Sequence, residues 1–253
     1  MNIAIIPARG GSKRIPRKNI REFAGQPMIV HSIQTALKSN MFDHIIVSTD
    51  DEEIAQVARN AGAQVPFKRP AHLSDDFTGT VPVIAHAITW MTENIATVTN
   101  ACCIYATAPF VIPEDLIIGH QLLVDHDADY AFSVTEYAFP IQRALKKKAD
   151  GKLEMFFPML SEWGKRIQRA LKKKADGKLE MFFPDFYNTR SQDLEEGLHD
   201  AGQFYWGSAD AWLSQKPIFS SDSIPVMLPR TRVQDIDTYS DWERAEQLYY
   251  LLK

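Results

Sequence analysis

The segment IAIIPARGGSKRIPRKN (Ile3–Asn19) joins an apolar run to a cluster of basic residues. Ile3–Ile6 has the length and composition of a short buried strand, and Pro7 ends it. Gly10–Ser12 follows, and its two glycines let backbone N–H groups approach a ligand closely. Such a turn at the carboxyl end of a strand forms a concave site for anions. The segment therefore predicts a strand followed by an anion-binding loop.

This loop carries only basic charge. Six basic side chains fall within thirteen residues, with no acidic residue among them: Arg9, Lys13, Arg14, Arg17, Lys18 and Arg21. Such a density of positive charge suits a triphosphate. The spacing matches neither GxxxxGK[ST] nor GxGxxG, which disfavours P-loop kinases and dinucleotide-binding enzymes. The alternative is a solvated basic loop that binds no ligand.

Outward from the loop, strand-like runs alternate with helical patterns. The predicted strands are Ile3–Ile6, His44–Thr49, Gln64–Phe67, Ala101–Tyr105 and Tyr130–Thr135. The predicted helices are Pro27–Ser39, Asp51–Ala61 (capped by Asp50 or Asp51 and ended by Gly62), Thr80–Glu93, Pro113–Val124 and Tyr239–Leu252. This order predicts the α/β class, with a doubly wound, mostly parallel, Rossmann-like sheet and helices on both faces.

Composition limits the possible function classes. The 253 residues are 45% hydrophobic and 24% charged, which is enough for one sizeable domain or one domain with a smaller insertion. The net charge of −4 disfavours a nucleic-acid partner, and no apolar run approaches the roughly 18 residues of a membrane span. Cys102 and Cys103 are adjacent and give no disulfide framework, and MNIAIIPARGG is too short for a signal peptide. We therefore expect a cytoplasmic enzyme that binds neither nucleic acid nor membranes.

An identical stretch, IQRALKKKADGKLEMFFP, occurs at Ile141–Pro158 and again at Ile167–Pro184. Each copy places Ala-Asp-Gly between two alternating runs, which predicts a β-hairpin. Two copies are too few for a solenoid, which needs about three or more. The sequence therefore predicts two tandem hairpins within another fold.

A pair of aspartates near the end of the sequence is a candidate metal site. In VQDIDT (Val233–Thr238), Asp235 and Asp237 alternate around Ile236, so in an extended segment both carboxylates point to the same side. Such a pair can hold Mg²⁺ together with phosphate oxygens of a substrate. The alternative is that an aspartate here caps the helix that follows.

Four motifs in order, IIPARGGSKRIPRKNI, IIVSTDDEEIA, KRPAHLSDD and QDIDT, resemble the CMP-sialic acid synthetase family, whose members activate nonulosonic acids. YAFPIQRA and TRSQDLEEGLHDAGQFYWG are similar to the branch that activates pseudaminic acid. The resemblance implies a nucleotidyltransferase fold and transfer of CMP from CTP to the anomeric hydroxyl of a nine-carbon sugar acid, with pyrophosphate released. The alternatives are another sugar acid (N-acetylneuraminic acid, legionaminic acid or Kdo) or a catalytically inactive nucleotide-binding or scaffold protein.

The resemblance also implies roles for individual residues. The residues implied to bind CTP are Arg9, Gly10, Gly11, Ser12, Lys13, Lys18, Asn19, Arg69, Thr78 and Thr80. Those implied to face the sugar are Tyr105, Arg190, Gln192, Gln203 and Tyr205. Asp235 and Asp237 are implied to bind Mg²⁺, and Arg9, Lys13, Lys18, Asp235 and Asp237 to carry the catalysis. No histidine suits a general base: His31, His86 and His120 fall in predicted helices, and His199 is a candidate sugar contact only.

In the family, the region around the repeat resembles an arm that reaches a second subunit. We therefore expect one nucleotidyltransferase domain over residues 1–253, with a dimerisation arm at 138–190 that contains the hairpins 141–158 and 167–184. Removal of Met159–Pro184 joins Pro158 to Asp185 and leaves a sequence that reads as an ordinary family member. One hairpin is expected to pair across a homodimer, and the other to loop out or to add strands at its edge.

Overall fold

The computed structural model describes residues 1–136, 145–147, 153–155, 171–173, 179–181 and 198–252. The chain divides into two compact units, one formed by Met1–Val134 with Asp200–Lys253 and the other by Thr135–His199. No helix in these described ranges is long and apolar enough to cross a membrane.

The elements follow the order predicted for the α/β class. The strands are β1 (Asn2–Pro7), β2 (Glu22–Phe23), β3 (Gln26–Pro27), β4 (His44–Ser48), β5 (Asn100–Ile104), β6 (Tyr130–Glu136), β7 (Leu145–Lys147), β8 (Leu153–Met155), β9 (Leu171–Lys173), β10 (Leu179–Met181), β11 (Leu198–Ser208) and β12 (Ser223–Met227). The helices are α1 (Met28–Ser39), α2 (Glu52–Asn60), α3 (Thr80–Asn94), α4 (Pro113–Asp125), α5 (Ala209–Leu213) and α6 (Tyr239–Leu251).

The main sheet has the strand order β12-β6-β11-β5-β1-β4. β1 is parallel to both neighbours, with Ile5 opposite Ile46 of β4 and Cys103 of β5. β12 is parallel to β6, whereas β11 runs antiparallel to β5. The predicted mostly parallel sheet is therefore confirmed, while β11 and β12 were not among the predicted strands.

Two apolar cores cover the two faces of this sheet. Ala4 and Ile6 of β1 pack on the face covered by α1, α2 and α4. Ile3 and Ile5 pack on the opposite face, which α3 and α5 cover. Full burial of one isoleucine side chain contributes about 1.5–3 kcal/mol, and these are completely buried. The alternation along β1 thus explains why the sheet has helices on both faces, as predicted.

One predicted strand, Gln64–Phe67, is wrong. Gln64 forms a single parallel bridge with Ile46, and no strand follows it. Pro66 has no N–H group to donate to a neighbouring strand, which ends the pairing after one bridge. The chain then turns, and the N–H of Arg69 donates to the carbonyl of Thr49 at 2.8 Å.

The helix that follows β4 begins and ends at the predicted signals. Asp51 is its N-cap, because its carboxylate accepts a hydrogen bond from the N–H of Ile54 at 3.0 Å. Gly62, just after the helix, has a φ of +95°, a conformation that glycine adopts without strain.

The second unit contains one antiparallel strand pair from each copy of the repeat. β7 pairs with β8, with Leu145 opposite Met155. β9 pairs with β10 in the equivalent register, with Leu171 opposite Met181. The strand pairs agree with the two predicted hairpins, whereas their Ala-Asp-Gly turns, the boundaries 138 and 190, and the connecting residues 159–166 lie outside the described residues.

Candidate active site at the carboxyl edge of the sheet

Three parallel strands bring the predicted site residues to one edge of the sheet. Since β4, β1 and β5 are parallel neighbours, their carboxyl ends lie together. β1 leads into Arg9–Asn19, the basic loop. β4 leads into Thr49–Asp51, and β5 leads into Tyr105. Ligands of open α/β sheets bind at this edge.

The basic loop is held against the end of β4. The N–H of Gly10 donates to the carboxylate of Asp50 at 3.0 Å. A Cβ atom at Gly10 would lie 2.8 Å from Oδ2 of Asp51, so this close approach requires glycine. Asn19 ties the two ends of the loop together, because its Nδ2 donates to the carbonyl of Arg9 at 3.0 Å. This contact gives Asn19 a structural role within the loop.

An ion pair fixes the side of the loop next to α2. The guanidinium of Arg17 binds both carboxylate oxygens of Asp51, at 2.5 and 3.0 Å. This hydrogen bonding outweighs the partial burial of Asp51 and lowers its pKa to about 2. Arg17 itself has a positive φ of 56°, a conformation uncommon for a residue with a side chain. Arg17 therefore shapes the loop by holding it against the start of α2.

Two other cations of the loop reach an acidic turn before α3. Nη1 of Arg9 lies 2.6 Å from Oδ1 of Asp76, and Lys13 pairs with the same carboxylate. The bonds from Lys13 and Arg9 lower the pKa of Asp76. The neighbouring Asp75 accepts hydrogen bonds from the N–H and the hydroxyl of Thr78, at 2.7 and 2.8 Å. Arg9, Lys13 and Thr78, three of the residues predicted to bind CTP, therefore contact the same acidic turn.

The basic loop also contacts the aspartate pair, although 218 residues separate the two segments. Nζ of Lys18 donates to the carbonyl of Ile236 at 2.7 Å and lies 3.5 Å from Oδ1 of Asp237. Nη1 of Arg14 lies 2.7 Å from the other oxygen of Asp237. Ile236 is buried, so the two aspartates flank an anchored residue. The predicted anion-binding loop and the predicted metal-binding pair are thus in direct contact.

Asp235 differs from Asp237 in its surroundings. No salt bridge reaches Asp235 from the described part of the chain. Loss of hydration raises the pKa of Asp235, the charge of Asp237 raises it further, and Lys18 opposes both effects. A divalent cation between the two carboxylates would remove their mutual repulsion.

The donor set fits Mg²⁺ bound together with a substrate. Among the described residues no cluster of three or more histidine, cysteine or acidic side chains could hold a metal ion. Mg²⁺ commonly uses one or two carboxylates and completes its shell with phosphate oxygens and water. The capping alternative for the pair is wrong, because Thr238 caps α6 and its hydroxyl accepts from the N–H of Asp241 at 3.2 Å.

Arg69 provides a buried cation beneath the loop. Its side chain is buried, and Nε donates to the hydroxyl of Ser48 at 3.1 Å. Burial lowers the pKa of Arg69 to about 10, with the nearby Asp50 opposing that shift and Arg9 adding to it. Arg69 is therefore still a cation at neutral pH, close to the predicted triphosphate loop.

Tyr105, Gln203 and Tyr205 are called the tyrosine–glutamine cluster, and the N–H of Tyr105 donates to the carbonyl of Gln203 at 2.9 Å. The hydroxyl of Tyr105 shares a hydrogen bond of 3.0 Å with that of Thr80, the first residue of α3. The rings of Tyr105 and Tyr205 lie 5.4 Å apart, and the hydroxyl of Tyr205 donates to Asp200 at 2.6 Å. Burial raises the pKa of Tyr205, so this side chain is neutral at physiological pH.

Gln203 carries an unpaired polar atom within this cluster. Its side chain is 3% exposed, and Nε2 donates to the carbonyl of Arg232 at 2.6 Å. Its Oε1 atom is buried and accepts no hydrogen bond from any residue that the structure describes. A buried acceptor without a donor is costly, and a ligand that donates to it would relieve that cost.

A family model described as cytidylyltransferase matches residues 3–142. The chain belongs to this family. Pseudaminic acid cytidylyltransferase of Campylobacter jejuni subsp. jejuni serotype O:2 is 40% identical over 248 residues, which cover 98% of this chain and 96% of that protein. CMP-N,N'-diacetyllegionaminic acid synthase of Legionella pneumophila subsp. pneumophila is 28% identical, again covering 98% of this chain and 96% of that protein.

A solved structure shares the fold of this cytidylyltransferase. CMP:2-keto-3-deoxy-manno-octonic acid synthetase, solved in complex with CTP, gives a TM-score of 0.65 at 17% identity and covers 100% of this chain and 99% of that one. At this identity the likeness establishes the fold alone. It agrees with the observed sheet and helix layers of the cytidylyltransferase.

The remaining site predictions for the cytidylyltransferase concern two sugar-facing residues and the helical histidines. Arg190 and Gln192 lie outside the described residues, so their sugar-facing role stays a prediction. All three helical histidines are packed as expected: His31 is buried and bonded to the carbonyl of Phe23 at 2.9 Å, and the rings of His86 and His120 each lie 4.8 Å from an aromatic ring, that of Phe67 and that of Trp206.

Four charged residues that were not among the predicted site residues also lie in or next to the site. These are Asp50, Asp76, Asp115 and Arg232. Asp50 follows a predicted strand directly, and Asp76 lies in the quoted KRPAHLSDD motif, so both had a usable signal. Arg232 and Asp115 are 117 residues apart and had none.

Proposed function

We propose that this cytidylyltransferase transfers CMP from CTP to the anomeric hydroxyl of a nine-carbon sugar acid, pseudaminic acid, and releases pyrophosphate. The observation that carries the proposal is the contact of Lys18 with Ile236 and Asp237, which joins a basic loop to a carboxylate pair. Such a junction suits a nucleotide triphosphate that is bound with Mg²⁺. The named relative at 40% identity supports pseudaminic acid as the acceptor.

The basic loop is proposed to bind the triphosphate of CTP. Gly10–Ser12 offers its backbone N–H groups, and Arg9, Lys13 and Lys18 offer positive charge. The carboxylate of Asp76 now engages Arg9 and Lys13, and phosphate oxygens would replace it there. Arg69, Thr78 and Thr80 are the residues proposed to lie near cytosine and ribose, while Asn19 keeps the loop in shape.

In the proposed reaction the anomeric oxygen attacks the α-phosphorus and forms a new O–P bond. The bond between the α-phosphorus and the oxygen bridging to the β-phosphate breaks, and that oxygen leaves with pyrophosphate. The hydroxyl proton passes to solvent, since an anomeric hydroxyl is more acidic than an ordinary alcohol. Arg9, Lys13 and Lys18 stabilise the charge that builds up on the leaving pyrophosphate.

Alignment of the reactants is the second contribution of the protein. In-line attack requires the sugar oxygen opposite the leaving oxygen, and holding this geometry removes much of the entropic cost. When bound, Mg²⁺ polarises the α-phosphate and orients the sugar oxygen, and Asp235 and Asp237 are the residues that would hold it. Tyr105, Gln203 and Tyr205, together with Arg190 and Gln192, are proposed to position the sugar acid.

Pyrophosphate release in the presence of CTP and Mg²⁺ tests this function. Pseudaminic acid should give the highest kcat/KM in a panel with legionaminic acid, N-acetylneuraminic acid and Kdo. A higher value for another acid would change the substrate assignment, and no turnover with any of them would refute the proposal. A calorimetric titration with CTP detects the inactive alternative, which binds the nucleotide without turnover.

We also propose that the protein is a homodimer whose contact involves the unit with the doubled strand pairs. The identity of the two copies supports the idea that one of them is surplus. Light scattering should give a dimer for this chain and for a variant lacking residues 159–184. A monomer in both cases would contradict the proposed arm.

The cytoplasm is the proposed compartment. Cys102 and Cys103 are buried and form no disulfide, as is usual in a reducing environment.

A further inference from the structure

We propose that Arg232 is a positioning residue that couples the aspartate pair to the tyrosine–glutamine cluster, and that Asp115 is its anchor. The inference rests on the proposed function, which assigns the pair to Mg²⁺ and the cluster to the sugar acid. It adds a link between two parts of the site that lie on different segments of the chain.

The anchor is a two-pronged ion pair with little exposure to water. Nη1 and Nη2 of Arg232 lie 2.5 and 2.9 Å from the two carboxylate oxygens of Asp115. The two side chains are 19% and 7% exposed. Nη1 also donates to the carbonyl of Phe110 at 3.1 Å. A planar guanidinium held at three points cannot rotate or shift without breaking several bonds.

Asp115 is itself fixed by the start of α4. It lies in the first turn of that helix, and its carboxylate accepts a hydrogen bond from the N–H of Ile112 at 3.1 Å. The helix packs its buried Leu116 and Leu123 into the main core. The side chain of Arg232 is therefore fixed by α4, and not only by the single-turn 3-10 helix, Arg230–Arg232, in which it lies.

The backbone of Arg232 orients the glutamine of the second cluster. Its carbonyl accepts from Nε2 of Gln203 at 2.6 Å, which fixes the side-chain amide. With the nitrogen so engaged, Oε1 is left as the buried acceptor. A displaced Arg232 carbonyl would free the amide to rotate and present its NH₂ group instead. Arg232 thus determines that a ligand at this point must donate a hydrogen bond.

The same residue sets the path to the aspartate pair. Only Val233 and Gln234 separate Arg232 from Asp235. The far end of this short segment is held by buried Ile236, whose carbonyl accepts from Lys18. With both ends fixed, the carboxylates have little freedom, and loosening the Arg232 end would let Asp235 drift. Groups that orient metal ligands in this way affect metal affinity or activity by about 10–100-fold.

Arg232→Met, which removes the ion pair, is the direct test, with Arg230→Met as its matched control. Arg230 lies in the same turn, is exposed, and forms no ion pair with the described residues. In Arg232→Met we expect the KM for the sugar acid and the Mg²⁺ concentration for half-maximal activity each to rise at least about 10-fold. The Kd for CTP measured without sugar should change less than about threefold, because the basic loop is untouched.

Two further variants separate positioning from folding. Asp115→Asn with Arg232→Met removes both charges, so neither is left buried and unpaired. Arg232→Lys keeps the charge but loses the two-pronged geometry. Both should show the same selective pattern as Arg232→Met, with a thermal midpoint close to that of the parent protein. Equal losses of CTP affinity and sugar-acid affinity would mean a merely structural role and would overturn the inference.

Binding of Mn²⁺, followed by electron paramagnetic resonance in the presence of CTP, gives a readout that needs no turnover. We expect the three Arg232 variants to bind Mn²⁺ at least about 10-fold more weakly than the parent and Arg230→Met. Unchanged Mn²⁺ affinity would refute the positioning role even in an active enzyme. If the parent releases no pyrophosphate with any sugar acid, the proposed function fails, while weaker Mn²⁺ binding would still support this link.

Discussion

The basic loop and the tyrosine–glutamine cluster differ in how their polar groups are satisfied. In the loop, Arg9 and Lys13 share the carboxylate of Asp76, and Lys18 lies next to Asp237. In the cluster, Tyr205 is buried and neutral, and one acceptor, Oε1 of Gln203, has no donor among the described residues. Phosphate oxygens could replace the carboxylates that now pair with the loop cations. In the cluster, a ligand could instead donate one hydrogen bond to Oε1 of Gln203.

This difference in how the polar groups are paired bears on the substrates proposed for the two regions. Charge attracts a polyanion strongly but discriminates little between anions of similar size, and salt weakens it at exposed sites. A buried unpaired acceptor discriminates sharply, because a ligand without the matching donor leaves the cost in place. We therefore expect the loop to determine affinity for the nucleotide and the cluster to determine the choice of sugar acid.

Asp235→Ala should lower turnover more than any other single substitution predicted for this site. Loss of one of two carboxylates at the reacting phosphate should lower kcat at least about 100-fold. The Kd for CTP without sugar should stay within about threefold, because the loop cations remain. The exposed Asp222, changed to Ala, is the control and should leave both values unchanged. Parental kcat in Asp235→Ala would show that the metal assignment is wrong.

Arg9→Met tests whether the basic loop determines the affinity for CTP. Removal of one charged contact to the triphosphate should raise the KM for CTP about 10–100-fold, and added salt should reduce the difference between parent and variant. The KM for the sugar acid should change less than about threefold. Lys38→Met removes an exposed cation of α1 and serves as the control. Equal increases of both KM values would mean that the loop does not act on the nucleotide alone.

Gln203→Leu tests whether the tyrosine–glutamine cluster determines the affinity for the sugar acid. Leucine has a volume similar to that of glutamine but no hydrogen-bonding group. Loss of the buried acceptor should raise the KM for the sugar acid about 10-fold and leave the KM for CTP unchanged. Thermal stability should change little, because removal of the unpaired Oε1 offsets the lost bond to the carbonyl of Arg232. Gln56→Leu, on the exposed face of α2, is the control. A selective rise of the KM for CTP would reverse the proposed assignment of the two regions.

The two regions also differ in how far the sequence predicts them. The basic loop is contiguous, so its strand, glycines and cations were recognisable from residues 3–19. The aspartate pair was recognisable from the alternation around Ile236, but its contact with Lys18 depends on the tertiary fold. The tyrosine–glutamine cluster combines Tyr105, after β5, with β11, an antiparallel strand that the β-α alternation does not predict.

The errors have local physical causes. Gln64–Phe67 has the composition of a strand, yet Pro66 removes a donor and the pairing stops after one bridge. β12 is only five residues long and contains Pro225, so it lacks the continuous apolar run of a central strand. Arg232 and Asp115 are 117 positions apart in the sequence, and no local sequence pattern predicts a contact over that separation.

The smallest expected effect concerns the ion pair that holds the loop, Arg17 with Asp51. The carboxyl of Asp51 has a pKa of about 2 in the folded protein and an ordinary value of 3.8. A lowered pKa gives stability that is present above pH 3.8 and is lost as the pH falls through about 2. Because Arg17 is partly exposed, solvent screening reduces the contribution to about 1 kcal/mol.

Asp51→Asn isolates this ion pair, since asparagine also caps helices well and keeps the start of α2 intact. Urea unfolding at about pH 7, 5 and 3 should show a constant loss of about 1 kcal/mol at the two higher values and a smaller loss at the lowest. Glu52→Gln removes the exposed pair with Arg59 and should change stability by less than about 0.5 kcal/mol. A loss in Asp51→Asn that does not shrink in acid would mean that the charge of Asp51 is not what stabilises the loop against α2.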